Sequence, residues 1–161
     1  KHPDAWIRFE HGELSEATFL RHFFADRREY DREAFVAHVR RAYRFLEGVE
    51  PLLEALAARG VPMHALSNYP RWYRLIEAEL GLSRFLEWSF VSCETGLRKP
   101  DPAAYRHAAR SLELPPGRCL FVDDRTENCA AARRVGMDAV VFEDAAQLRA
   151  ALAARGVLSG P

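Results

Sequence analysis

From Gly48 onward the chain repeats one pattern: an amphipathic stretch of helix length, an apolar run of strand length, then a polar loop. Parallel strands cannot be joined by a tight turn, and a helix is the usual crossover between them. Alternation of this kind therefore specifies an α/β fold with a parallel sheet covered by helices on both faces. The spacing predicts strands over 61–66, 88–93, 119–122 and 139–142. It predicts helices over 51–59, 71–80, 127–135 and 144–155, with Gly60, Gly81 and Gly136 closing the first three. Glycine suits those positions because it adopts the left-handed conformation that ends a helix. A further helix starts at Asp101, a side-chain cap, with Pro102 at the first helical position, where a missing N–H costs nothing.

Residues 1–47 contain no strand pattern. Ser15 has the form of an N-cap, with Leu14 before it and Phe19 four positions into the helix as a hydrophobic staple. Phe19, Leu20, Phe23 and Phe24 share one helical face, and Phe35, Val39, Tyr43 and Leu46 repeat this over 31–46. Two such helices form an α-hairpin that must pack on something else. The expected organisation is a helical segment over 1–47 and an α/β core over 48–161.

Composition removes several classes of function. With 23 basic and 23 acidic residues, the chain lacks the cationic excess of a nucleic-acid backbone binder. No apolar run approaches the ~20 residues of a membrane-spanning helix. Three cysteines do not make a disulfide framework, which favours a reducing compartment. The sequence begins Lys1-His2-Pro3 with no initiator Met and no signal-like segment, so a fragment or processed form is expected.

In parallel α/β sheets the chemistry lies beyond the carboxyl ends of the strands. Asp123-Asp124 follows the run Cys119-Leu120-Phe121-Val122. Adjacent carboxylates repel unless a cation or hydrogen bonds hold them, and hard oxygen donors suit Mg²⁺. The plainer reading is a solvated turn with a helix cap. Asn128 either steadies that loop or lies on the helix surface. Ser67-Asn68 also joins a strand to a helix, where a hydroxyl and free N–H groups can hold an anion, or can simply cap the helix. Of the 23 basic residues only Lys1 and Lys99 are lysine, so a lysine retained at position 99 draws attention as a phosphate clamp. Its alternative is an ordinary surface lysine. The six histidines show no metal-ligand spacing, and the cysteines read as small apolar fillers.

Taken in order, strand-Ser67-Asn68, then Gly96-Leu97-Arg98-Lys99-Pro100-Asp101-Pro102, then strand-Asp123-Asp124 with Asn128 resembles the haloacid dehalogenase-like (HAD) hydrolase superfamily, phosphatase branch. The resemblance implies a HAD-like Rossmannoid core with a small helical cap over 1–47. It also implies Mg²⁺-dependent phosphomonoester hydrolysis through an aspartyl-phosphate. Carried over by motif, Ser67 donates its hydroxyl to the phosphoryl group beside the Asn68 N–H, and Lys99 bridges the phosphoryl oxygens and the nucleophile. Asp123 ligates Mg²⁺, Asp124 binds it through water or orients Asp123, and Asn128 supports them. A narrower similarity, to chloroplast flavin mononucleotide (FMN) hydrolases of plants, rests on His2-Pro3, Trp6, Phe9-Glu10, Ser67-Asn68-Tyr69-Pro70, Trp72-Tyr73, Ser92-Cys93 and Arg98 to Pro102. It implies FMN as substrate and a chloroplast address. On that reading Trp72 and Tyr73 bind the flavin by stacking; the alternative places them in the core and on a helix surface.

The family's first motif, an Asp-x-Asp at a strand end that supplies nucleophile and acid–base, is not found in this sequence. The resemblance sets that strand between those bearing Ser67 and Asp123. The expectation is therefore that this chain alone is inactive and unstable. Alternatives that keep the fold are a phosphatase for a sugar phosphate or another small ester, and a non-catalytic protein that binds a phosphate ligand. Oligomeric state is not legible.

Overall fold

The structure, a computed structural model, describes residues 4–158. The His2-Pro3 pair cited above lies outside the described residues. In chain order the elements are α1 (Ala5–Glu10), α2 (Glu16–His22), α3 (Arg32–Ala42), α4 (Val49–Ala58), β1 (His64–Ser67), α5 (Tyr73–Leu80), β2 (Glu87–Val91) and α6 (Ser92–Thr95). They continue with α7 (Pro102–Ser111), β3 (Leu120–Asp123), α8 (Thr126–Arg134), β4 (Asp138–Val141) and α9 (Ala145–Ala153).

The chain divides into two compact units, one formed by residues 1–44 with 65–98, the other by 45–64 with 99–161. In the first, α1 and α2 close over Trp72, so that Ala5, Phe9, Phe19, Leu20 and Trp72 make one buried cluster, with Leu14, Phe35, Val39 and Leu75 packed around it. Phe9 stacks on Phe19 at 4.5 Å between ring centres, and Trp72 meets both rings edge-on. In the second unit α4 and α9 bury Leu52, Leu56 and Leu152 with Leu158. There β3 pairs in parallel with β4, from Leu120 opposite Asp138 to Asp123 opposite Val141. Cys129, Ala131 and Ala132 of α8 are fully buried in this unit.

The helix signals of the sequence operate as physical chemistry predicts. Ser15 accepts from the Thr18 N–H at 3.2 Å, Asp101 from Ala103 at 2.8 Å and Asp144 from Gln147 at 2.7 Å. Gly60 and Gly81 have φ of +68° and +60°.

Several expected boundaries shift. The helix predicted over 31–46 stops at Ala42, because Tyr43 turns extended, and Leu46 is 64% exposed rather than on a buried face. Phe23 and Phe24 lie past the end of α2, although the Phe23 ring still packs on Phe35. The strand predicted over 88–93 ends at Val91, where Ser92–Thr95 turns helical and closes on Gly96. The strands form two hydrogen-bonded pairs, β1–β2 and β3–β4, rather than one continuous sheet of four. No helix of the described residues is long and apolar enough to cross a membrane.

Candidate functional site

The second unit brings three of the singled-out residues together. Asp123 is the last residue of β3 and Asn128 lies on the first turns of α8, while Lys99 enters just ahead of α7. The Lys99 ammonium donates to Asp123 Oδ2 at 2.6 Å and stands 5.3 Å from the centre of the Phe121 ring. Asp123 Oδ1 accepts from Asn128 Nδ2 at 2.8 Å and from the Arg125 N–H at 2.9 Å. The lysine and aspartate side chains are 10% and 6% exposed. Burial works to raise the Asp123 carboxyl, but the hydrogen bonds from Lys99 and Asn128, with the ammonium's field, outweigh it and hold the group below its ordinary value. The result is a carboxylate that stays ionised, paired with a cation it has drawn out of water.

Asn128 is itself fixed. Its carbonyl accepts from the Tyr105 hydroxyl at 2.9 Å, and the Tyr105 ring is fully buried. Burial, then the neighbouring Asp123 charge, push the Tyr105 hydroxyl well above its ordinary value, so it acts only as a neutral donor. Asn128 Oδ1 is a buried acceptor without a donor among the described residues. Asp124 follows β3 and is exposed.

Ser67 and Asn68 belong to the other unit, Ser67 as the last residue of β1. Tyr69 beyond them donates its N–H to Ser92 Oγ at 3.0 Å, and its hydroxyl meets that of Tyr43 at 2.8 Å. Trp72 is corrected to the core alternative: it is 3% exposed, ringed by Trp6, Phe9 and Phe19, and its indole N–H donates to Glu16 Oε2 at 2.6 Å. A ring so enclosed has no face left for a ligand. Tyr73 is half-buried at the start of α5, its ring tilted 5.1 Å from that of Trp88.

A second polar cluster, in the first unit, escaped sequence reasoning as a site. Glu10 is 5% exposed. Its Oε1 accepts from the Trp6 indole, and its Oε2 accepts from Arg98 Nε at 2.8 Å. Ser92, fully buried, donates its hydroxyl to the Glu10 carbonyl at 2.7 Å. These partners stand 88 and 82 residues apart in sequence, beyond the reach of any periodicity. The available signal was local, a glutamate flanked by Phe9 and one helical turn from Trp6.

Magnesium, which the fold family implies, is tested against the donors present. The chain offers two adjacent carboxylates, one buried and ionised and one exposed, which is the number Mg²⁺ commonly takes from protein before completing its shell with water and substrate oxygen. No group of three or more His, Cys, Asp or Glu able to enclose a metal occurs among the described residues. The donor set therefore fits a shared, open Mg²⁺ site rather than a closed protein cage.

A parallel strand pair joined by a helical crossover, with a strand-end aspartate and a buried lysine upon it, marks an α/β protein with a charged site at its strand ends. Residues 5–136 match the family model for haloacid dehalogenase-like hydrolases, and the chain belongs to that family. Over 157 residues it is 42% identical to flavin mononucleotide hydrolase 1 of Arabidopsis thaliana, a chloroplast protein, covering 98% of this chain and 64% of that one. It is 34% identical over 91 residues to a phosphoglycolate phosphatase of Cupriavidus necator, covering 56% of this chain and 39% of the relative. The chain thus spans less than two thirds of the length of these relatives. Among solved structures, a magnesium complex of a HAD family enzyme from Bacteroides thetaiotaomicron superposes with a TM-score of 0.72 at 17% identity, over 91% of this chain and 79% of the other. That likeness shows the fold.

Proposed function

We propose that this chain supplies most of a phosphomonoester hydrolase that converts FMN to riboflavin and phosphate. The observation that carries the reading is the buried Lys99–Asp123 pair at the end of β3, in a chain of this family. An ammonium already desolvated on a carboxylate is a ready counter-charge for phosphoryl oxygens. In this reading Lys99 engages those oxygens, the Ser67 hydroxyl and the Asn68 N–H donate to them, and Asn128 and the Arg125 N–H keep Asp123 oriented. Asp123 and Asp124 would hold Mg²⁺, which supplies charge neutralisation and alignment of the phosphoryl group. The ester P–O bond breaks, the alcohol oxygen leaves with a proton, and water provides the replacing oxygen. Attack on phosphorus needs the family's Asp-x-Asp, which no strand end of this sequence provides. By resemblance to the family, the helical segment 1–47 serves as the substrate-selecting cap; by similarity to the Arabidopsis hydrolase, a chloroplast is the proposed compartment.

The test is phosphate release from FMN, glucose 6-phosphate and phosphoglycolate, with and without Mg²⁺. It is run on this chain and on the chain extended at its N-terminus by an apolar strand ending in Asp-x-Asp. Expected is no release by the chain alone, and Mg²⁺-dependent release from FMN by the extended protein, lost in its Lys99→Ala variant. Preference for another ester overturns the substrate, and full activity without Lys99 overturns the site.

A further inference from the structure

We infer that Tyr105 is a positioning residue for the Lys99–Asp123 pair: its hydroxyl pins α8 at Asn128, which holds Asp123, and its ring backs Phe121, over which the Lys99 ammonium stands. The inference deepens the proposed hydrolase reading and rests on it for its catalytic meaning.

All five residues belong to the unit formed by 45–64 with 99–161. Tyr105 lies on the first turn of α7, which packs on α8. Apart from Tyr105 and Asn128, every buried residue of these two helices is an alanine or a cysteine. Ridges built from such small side chains are low, so they let helices approach closely but fix their register weakly. The two exceptions are bonded to each other, the Tyr105 hydroxyl donating to the Asn128 carbonyl at 2.9 Å. Tyr105 is 0% and Asn128 2% exposed, so a shift of α7 along α8 would leave the hydroxyl buried without an acceptor.

The two ends of Tyr105 lead to the two partners of the pair. Through Asn128 its hydroxyl acts on Asp123, because the amide whose backbone it holds donates from Nδ2 to Asp123 Oδ1 at 2.8 Å. Its ring meets that of Phe121 edge-on, 5.2 Å between centres and 88° between planes. The Phe121 ring in turn lies 5.3 Å from Lys99 Nζ, within the range at which an aromatic face attracts a cation. Phe121 and Asp123 stand two residues apart on β3, both buried, and so share one face of the strand. One side chain thus braces the strand that carries Asp123 and the helix that orients it.

The sequence makes the test selective, for Asn68 and Asn128 are its only asparagines and Lys1 and Lys99 its only lysines. Asparagine is labelled with the heavy nitrogen isotope, and water exchange of the Asn128 side-chain amide, assigned by its loss in Asn128→Ser, is followed by NMR. In parallel, acetylation of Lys99 by acetic anhydride at one pH is read against Lys1 by peptide mass spectrometry. Expected for Tyr105→Phe, which keeps the ring, is several-fold faster exchange at Asn128 with little change at Lys99. Tyr105→Leu, which loses hydroxyl and ring, should speed both several-fold. Leu52→Val, which loosens the α4–α9 cluster of the same unit, should leave both rates unchanged. Should Tyr105→Leu fail to fold, Tyr105→Phe keeps the test. Unchanged Asn128 exchange in Tyr105→Phe, unchanged Lys99 acetylation in a folded Tyr105→Leu, or an equal rise in Leu52→Val overturns the inference.

The two readings fail separately. In the N-terminally extended protein, Tyr105→Phe should lower kcat for FMN several-fold and leave KM nearly unchanged. If exchange and acetylation are as expected but the extended protein hydrolyses no phosphate ester, positioning stands and the hydrolase reading falls. If Lys99→Ala abolishes hydrolysis while Tyr105→Phe leaves Asn128 exchange and kcat alone, only the positioning falls.

Discussion

The Lys99–Asp123 pair is safe only while both partners remain. Removing one leaves the other charged, desolvated and unanswered, which costs about 3–5 kcal/mol in comparable buried pairs. Lys99→Ala should therefore lower stability by roughly that amount in urea unfolding followed by circular dichroism. Replacing the two together, as Lys99→Met with Asp123→Leu, should recover most of the loss, because the ion pair itself contributes little beyond the cost of burying it. Tyr105→Phe keeps the packing and deletes only the hydroxyl that holds the Asn128 carbonyl, so a smaller loss of about 1 kcal/mol is expected in the same measurement.

Between elements, close approaches and shared acceptors set the geometry. Gly12→Ala would require a left-handed backbone from alanine and put a methyl group into the Cys93 carbonyl, a strain on the order of 1–3 kcal/mol, measurable as a lowered Tm. Glu77 links α5 to β2, accepting from the Trp88 indole at 2.9 Å and from the Ser83 N–H at 2.9 Å. The Trp88 hydrogen bond holds its carboxyl below the ordinary glutamate value, against a smaller opposing effect of burial. A carboxyl lowered on folding stabilises the native state above the unfolded-state value, and that contribution is lost as pH falls through the folded one. The Trp88 indole N–H resonance should accordingly titrate with a midpoint more acidic than an ordinary glutamate, and Glu77→Gln should abolish the titration. Helix ends were legible in the sequence because caps are local: Ser15, Asp101 with Pro102, Gly60 and Gly81 each act within a few residues of themselves. The candidate site was legible only in outline. Lys99 and Asp123 stood out by residue type and by strand-end position, whereas the Glu10–Arg98 clamp depends on a contact that no local pattern encodes. Trp72 was ambiguous for a physical reason, since the flat ring that would stack on a flavin is equally good filling for a core.

On the scale of the molecule, the chain passes between its two units after residues 44, 64 and 98, so neither unit is a contiguous segment. A boundary at 47 and 48, drawn from the change in hydrophobic period, follows the order of elements and cannot register that residues 65–98 pack with 1–44. Deleting 1–44 should consequently uncover Trp72 and Leu75 rather than release an intact core. The expected outcome is red-shifted tryptophan emission and aggregation of the shortened chain, and a soluble, native-like product would contradict it.

The aromatic inventory is divided very unequally between the units. All three tryptophans, Trp6, Trp72 and Trp88, and four of the five tyrosines fall in the unit built from 1–44 and 65–98, leaving Tyr105 as the other unit's only strong near-ultraviolet chromophore. With Trp6 and Trp72 only 6.2 Å apart, excitation is shared inside that one cluster. Tryptophan emission is thus a reporter that originates wholly in the unit built from 1–44 and 65–98, from the α1–α2 cluster and from Trp88 on β2. A tryptophan placed at Phe121 would give that silent half a voice of its own.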